Sequence, residues 1–322
     1  MATVVVTGGG GFIGSNLVDG LLAQGDEVLA IDDFSTGRES NLQPAAAKYG
    51  KTLCVEKADI RTADLNALFG SFKPQAVYHL AAQMSVPRSV KEPVFDASIN
   101  VLGMVNVLEA ARLNNVPRFM FSSTGGAIYG EQNYFPADEE HPCNSECQYG
   151  VAKRCGELYL AYYSRFYNFG AVAFRFANVY GPRQNPKGEA GVVAMFMERL
   201  RTGQDILVNG DGGQTRDFVF VGDIVRGVIM GTVKLEPGKM DIFNLGTGKE
   251  TDINELAKRA ADAWVELNKD SDRSKINIVH LPALAGEQRR SVVAIDKMKA
   301  RYGWQPEVSL SEGLKITFAT GN

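Results

Sequence analysis

Short, unbroken apolar runs alternate with longer helical patterns through the first half of the chain. TVVVT (3–7), EVLAID (27–32), TLCVE (52–56), AVYHL (76–80), RFMFS (118–122) and AVAFRF (171–176) predict buried strands. Between them Ile13, Leu17, Leu21 and Leu22 recur at helical spacing, as do Val101, Val105 and Leu108. Strand and helix in alternation predict βαβ units and an α/β fold with a doubly wound parallel sheet. Burial on both faces explains why these strands are apolar throughout. Beyond about residue 178 the rhythm loosens. YGPRQNPKGEAG (180–191) reads as a loop leading into the helix VVAMFMERLRTG, after which short strand-like runs and helices alternate to the C-terminus. TDINELAKRAADAWVELN (251–268) opens on a capping residue and carries an apolar stripe. The expected organisation is a sheet domain over 1–178 and a smaller C-terminal α/β domain over 179–322, sharing a cleft for a small ligand. The boundary is soft, because DIFNLG (241–246) can cross back into the sheet.

Composition narrows the partners. The 34 Lys and Arg against 37 Asp and Glu give a net charge of −3, which argues against broad nucleic-acid or anionic-membrane binding while leaving room for a local phosphate pocket. The four cysteines, at 54, 143, 147 and 155, are too few and too irregular for a disulfide framework. With three histidines and no Cys-x-x-Cys spacing, no metal site is expected. MATVVVTGGG enters a strand at once, leaving no room for a signal peptide, and no apolar run approaches the ~18 residues of a membrane span. A soluble, reducing, cytoplasmic setting is the expectation.

The first strand runs into VVVTGGGGFIGSNLV, placing Gly8, Gly11 and Gly14 between strand and helix, with Phe12 and Ile13 in the helix's first turn. Such glycines permit a tight turn and close approach of backbone to a pyrophosphate at the helix N-terminus, although a merely tight turn reads the same way. Asp32 ends the second strand, where a carboxylate accepts both ribose hydroxyls of NAD and repels the 2′-phosphate of NADP. Asp33 doubles the charge and Arg38 is the nearby cation, so NAD is favoured. Asp59 and Ile60, after the third strand, either bracket the adenine or simply cap a helix.

Two further patterns carry chemistry. SSTGGAIYG (122–130) puts the hydroxyls of Ser122, Ser123 and Thr124 at a strand end, followed by glycines where an acid would serve elimination chemistry. In QYGVAKRCGELYLAYY, Tyr149 and Lys153 lie one helical turn apart on one face. That pair is common by chance. Behind a dinucleotide turn and a hydroxyl cluster it reads as catalytic, because a phenol with an ordinary pKa near ~10 needs a neighbouring cation to act as a base.

The motifs TGGGGFIG, IDDFSTG, HLAAQMSV, FSSTGGAIYGE, YGVAKRCGE, RFANVYGPRQNPKGEAGVVA, NGDGGQTRDFVFVGDI and FNLGTG, in that order, resemble the extended short-chain dehydrogenase/reductase superfamily. Within it the chain resembles the NAD-dependent epimerase/dehydratase family, and there the nucleotide-sugar epimerases of the UDP-glucose (UDP-galactose) 4-epimerase type. The resemblance runs from residue 3 to beyond 300. It implies a Rossmann sheet with a smaller substrate-binding domain, bound NAD, and 4-epimerisation of a UDP-hexose in a homodimer formed through the helices around 96–113 and 149–167.

The same resemblance implies roles residue by residue. Tyr149 is the active-site base, and Lys153 steadies its phenolate and holds the nicotinamide ribose. Thr124 hydrogen-bonds the reacting hydroxyl, with Ser123 the rival. Leu80, Ala81 and Ala82 line the cofactor, Asn100 lies near it, and Tyr129 packs the loop. Asn178 touches the nucleotide diphosphate, Val192 opens the helix that offers it backbone groups, and Val208 lies in the stretch that sandwiches the uracil. Arg216 grips the diphosphate beside a structural Asp217. Leu284 and Ala285 stand where many relatives carry basic residues, so Arg289 is the expected second arginine, with Arg290 in reserve. Ser291 stands where a bulky residue excludes N-acetyl sugars in some relatives.

Three readings compete. A 4-epimerase needs only redox at C4. A 4,6-dehydratase or UDP-glucuronate decarboxylase needs further carboxylates; their relatives carry Thr-Asp-Glu or a glutamate after the fifth strand, where this chain has Thr124-Gly125-Gly126, with Glu131 only beyond Tyr129 and Gly130. Epimerisation of UDP-glucuronate stays open. A silent NAD-sensing scaffold would have lost the tyrosine or the lysine, and both are present.

Overall fold

The structure, a computed structural model, describes every residue except 187–190, 270, 284, 285, 287, 321 and 322. Leu284 and Ala285 therefore lie outside the described residues. The chain forms two compact units, the first comprising Met1–Ile128, Ser145–Arg175 and Val225–Phe243, the second Tyr129–Asn144, Phe176–Ile224 and Asn244–Asn322.

The first unit is built from β1 (Thr3–Thr7), α1 (Phe12–Ala23), β2 (Glu27–Asp32), α2 (Gln43–Tyr49), β3 (Leu53–Lys57), α3 (Leu65–Phe72), β4 (Ala76–His79), α4 (Val86–Lys91), α5 (Pro93–Ala97), α6 (Met104–Leu113), β5 (Arg118–Thr124), α7 (Gln148–Tyr167) and β6 (Gly170–Phe176). Two further elements come later in the chain, α9 (Val221–Thr232) and β11 (Met240–Leu245), whose ranges, like that of β6, cross a unit boundary. The sheet is seven-stranded, in the order β11-β6-β5-β4-β1-β2-β3. Pairs β1–β2, β1–β4, β2–β3 and β4–β5 are parallel. The strand order reverses at β1, and the crevice outside the strand ends at such a point is where open α/β sheets bind ligands.

Two patterns in the sequence resolve differently from expectation. β3 is the sheet edge, so beyond Leu53 it is largely exposed, with Val55 at 44%. On the helix before β5, the core face is Met104, Val107, Leu108 and Ala111, while Val101 and Val105 are only half-buried. The cause is a π-helical segment, Ser98–Gly103, whose extra residue rotates the face of α6. The continuous helix Pro93–Leu113 is by length and composition apolar enough to cross a membrane, although Asp96, Asn100 and Asn106 interrupt its apolar residues. Here it is a core helix, bearing a buried Asp96 and Asn100 and an ion pair between Arg112 and Glu109 at 2.7 Å.

The second unit pairs β7 (Asn178–Tyr180) with β10 (Phe218–Phe220) and β8 (Ile206–Asn209) with β13 (Ile278–Leu281), both in parallel. A third small sheet holds β9 (Thr215–Arg216) between β12 (Thr251–Asp252) and β14 (Arg290–Ser291). Helices α8 (Val192–Arg201), α10 (Ile253–Leu267), α11 (Asp296–Tyr302) and α12 (Leu310–Thr320) complete it. The helix expected from TDINELAKRAADAWVELN is α10, capped by Asp252, which accepts from Glu255 N at 2.8 Å. Asp217 ties the small sheet to its neighbours, accepting from the Thr247 amide and hydroxyl and from the Gly248 amide. Burial pushes its carboxyl up to about 6, against these hydrogen bonds.

Candidate active site

The site in the first unit begins at the β1–α1 turn. Gly8 has φ +73°, and a Cβ there would sit 2.7 Å from the Ala81 amide nitrogen. A Cβ on Gly14 would lie 2.0 Å from the Gly8 carbonyl oxygen. Both positions therefore exclude a side chain, so the turn can only be bare backbone. Gly11 caps α1 without any side-chain bond and no acid occupies its first turn, so the amides of Phe12 and Ile13, unlike those of Gly8–Gly11, are left for an anion. Asp32 closes the far side of the turn, accepting from Gly10 N at 2.9 Å and Phe34 N at 2.8 Å. Burial holds its carboxyl above the usual range while those amides pull it back. Each oxygen keeps a lone pair for a ribose hydroxyl. Asp33 is turned outward, bonding the amide and hydroxyl of Ser35. Phe34, which motif reading overlooked, packs its ring on Gly10.

Behind the turn, Ala81 N donates to Thr7 Oγ1 at 3.3 Å, and the Thr7 hydroxyl shares a hydrogen bond of 2.7 Å with His79 Nδ1. His79 is buried, and burial, with the Lys153 charge nearby, lowers it to about 3, so it is a neutral anchor for Leu80, Ala81 and Ala82. Asn100 has an indirect place: its amide brackets Gln83 N and O at 3.0 and 2.8 Å and donates to Asp96 at 2.9 Å. It fixes the loop after β4 from beneath. Asp59 is engaged by Arg61 at 2.6 Å, and Ile60 is buried in the core.

Tyr149 and Lys153 face β5 from the first turns of α7. Lys153 Nζ lies 5.7 Å from the Tyr149 ring centroid and donates to the Ser122 carbonyl at 2.8 Å. Burial lowers Lys153 to about 7, with the charges of Asp96 and Glu157 acting the other way. Burial also raises the Tyr149 phenol above its ordinary value, and Cys147 and Asp96 add to that. The two candidate hydroxyls differ. Ser123 donates to buried Glu157 at 2.7 Å. Thr124 Oγ1 accepts from Ala127 N at 3.2 Å, which leaves its own hydrogen to donate. No Asp or Glu lies between Thr124 and Gly130.

In the second unit Asn178 opens β7, Val192 opens α8, and Arg216 lies in β9 opposite Ser291 of β14. Arg216 donates to its neighbour's carbonyl at Thr215. Arg289 forms an exposed pair with Asp211 at 2.8 Å, and Arg290 pairs with Glu250 at 2.7 Å and stacks on Phe135. The Val208 side chain is only 1% exposed and faces the core, and strand alternation leaves Leu207 and Asn209 of the same stretch on the more open face. Ser291 is buried at 3% exposure. Tyr129, also buried, donates to Asn244 at 2.6 Å.

Residues 4–246 match the sequence profile of the NAD dependent epimerase/dehydratase family. The chain is similar to the UDP-glucose 4-epimerase of Mycolicibacterium smegmatis, with 44% identity over 315 residues, 97% of this chain and 96% of that one. Among solved structures it is similar to UDP-glucose 4-epimerase with UDP-glucose from Thermotoga maritima, with a TM-score of 0.88, 39% identity and coverage of 99% of this chain and 98% of that one. It is also similar to the Thermus thermophilus UDP-glucose 4-epimerase in complex with NAD, with a TM-score of 0.88, 38% identity and the same coverage.

Proposed function

The chain belongs to the NAD-dependent epimerase/dehydratase family, and from that premise we propose that it is an isomerase that inverts C4 of a UDP-hexose, interconverting UDP-galactose and UDP-glucose with NAD. The observation that carries this reading is a Tyr149–Lys153 pair set against a strand end that offers hydroxyls and no carboxylate. Such a site supports oxidation and reduction at C4 and lacks an acid–base pair for elimination.

The residues present fit the cofactor, since the Gly8–Gly14 turn admits backbone only and Asp32 offers acceptors to a ribose. When bound, NAD supplies the hydride acceptor and donor for C4 and a positive nicotinamide that favours the phenolate. Tyr149 Oη takes the C4 hydroxyl proton as the alcohol becomes a ketone, and returns it to the same oxygen when the ketone is reduced. Lys153, anchored on the Ser122 carbonyl, keeps its charge close to that oxygen. Thr124 donates to the reacting oxygen and orients it. In the second unit Asn178, Arg216, Arg289 and the backbone at Val192 and Val208 hold the nucleotide, so the 4-keto sugar is free to turn over. Arg289 exchanges a screened surface partner, Asp211, for the diphosphate. Turnover of UDP-galactose, UDP-GalNAc and UDP-galacturonate, followed by separation of the epimers, tests the reading. Conversion of UDP-galactose without accumulation of reduced cofactor is expected, and conversion of the uronate alone would overturn it.

The small, buried Ser291 further supports acceptance of the N-acetyl sugars. Ser291→Tyr should lower the ratio of UDP-GalNAc to UDP-galactose turnover by about ten-fold, the scale of a steric rejection; an unchanged ratio removes Ser291 from specificity. A homodimer is supported by exposed apolar side chains along the two helices concerned, Val94 and Leu102 on one and Val151, Leu158, Tyr162 and Phe166 on α7. Light scattering at micromolar protein should give the dimer mass, and a monomer would refute it. The acidic, disulfide-free composition supports a cytoplasmic enzyme without a membrane or nucleic-acid partner, serving galactose metabolism.

A further inference from the structure

One buried carboxylate next to the catalytic pair has no part in the chemistry above. Glu157 lies one turn beyond Lys153 on α7, so Tyr149, Lys153 and Glu157 form a single ridge. Its side chain is 1% exposed, as is that of Arg175 on β6, and the two are joined by two bonds at 2.9 and 2.8 Å. The same carboxylate accepts the Ser123 hydroxyl at 2.7 Å and the half-exposed Arg154 at 2.8 Å. Lys153, one turn back, donates to the carbonyl of Ser122. Between these two bonds Gly156 meets Phe121 so closely that a Cβ would stand 2.6 Å from the ring. Helix and strand end are thus fastened at adjacent residues, and the catalytic face of α7 is set by where Glu157 holds Ser123.

We propose that Glu157 is a positioning residue of the Tyr149–Lys153 pair, tying α7 to the end of β5 and supplying the negative field in which that pair shares its proton. The proposal rests on the epimerase reading. A buried Glu–Arg pair contributes little net stability compared with apolar residues of the same volume. Its value here is register and field. The groups facing the pair are Asp96 from the helix 93–113, His79 from β4 and Cys147 at the start of α7, besides Glu157 itself with Arg175 and Arg154 on its far side. Glu157 acts to raise Lys153, whereas burial lowers it.

The competent pair holds one proton between phenol and amine, so its two apparent pKa values bound the active pH range. Replacing Glu157 by Gln removes a negative charge from beside the pair. A more positive field favours deprotonation of both groups, so both limbs of the kcat profile move to lower pH, by about one unit at this separation. The Gln still offers an oxygen to Ser123. In Glu157→Gln, kcat at the wild-type optimum should therefore fall by about ten-fold while KM for UDP-galactose changes less than about three-fold. Arg154→Ala leaves the buried pair intact, removes a cation and should move both limbs the opposite way, by a few tenths of a unit. That variant decides the matter if Glu157→Gln does not fold. A purely structural role predicts lower thermal stability with both limbs unmoved. Unmoved limbs in folded, NAD-retaining Glu157→Gln, or in Arg154→Ala where the first is unfolded, overturn the proposal. Failure of wild-type enzyme to convert UDP-galactose would instead overturn the function on which it rests.

Discussion

Replacing Tyr149 by Phe should lower kcat for UDP-galactose by about a thousand-fold, within the range a positioned acid–base group contributes, while NAD stays bound and UDP still binds. The two effects separate because of where the hydroxyl lies. Among the described residues it makes no hydrogen bond, so its removal leaves no buried partner unsatisfied, and the ring keeps its place near Lys153. The variant should give calorimetric titrations with added NAD and with UDP that are unchanged from wild type. Turnover within about ten-fold of wild type would remove Tyr149 from the proton transfer.

Lys153→Met should abolish turnover to a similar degree and at the same time stabilise the folded protein at neutral pH. Lys153 is 3% exposed, and burial lowers it from 10.5 to about 7. Its folded pKa lies below its unfolded one, so the unfolded chain binds the extra proton between those values. The lysine therefore costs stability that is felt in full below about pH 7 and is relieved as pH rises toward 10.5. Methionine removes this cost and leaves the Ser122 carbonyl without its donor. The balance is a gain of about 2 kcal/mol at pH 7, a few degrees in Tm, shrinking as the pH approaches 10. Melting curves of both proteins across that range check the sign, and a lower Tm for the variant at pH 7 would contradict the view that Lys153 is kept for function at the expense of stability.

Much of the first unit was legible because its signals are local. The strand runs, the Gly8–Gly14 turn, Asp32 and the Tyr149–Lys153 spacing each sit within one element or one turn. What was missed depends on topology. The exposure of β3 follows from its place at the sheet edge, which no run of apolar residues announces. The rotated face of α6 follows from the π-helical segment before it. Val208 was read for the stretch it occupies, and its inward orientation is set by pairing with His280, distant in sequence. Glu157 was visible as a continuation of the tyrosine–lysine spacing, but its meaning came only with Arg175 from the next strand and Ser123 from the one before.

The difference between the two candidate hydroxyls has the same origin. Sequence placed Ser123 and Thr124 side by side at the strand end. The strand's alternation turns Ser123 under α7, where Glu157 holds its hydroxyl, and gives Thr124 the more open side. That supports Thr124 as the group that meets the sugar, with Ser123 belonging to the fastening of the helix.

The central claim is that the hydrogen at C4 leaves the sugar and returns to its other face within one closed site. UDP-galactose carrying deuterium at C4, converted by the wild-type enzyme in ordinary water and analysed by mass spectrometry and NMR, tests it directly. The expected product is UDP-glucose with the deuterium still at C4 and the configuration inverted. Product with protium at C4, or label released to water, would contradict it.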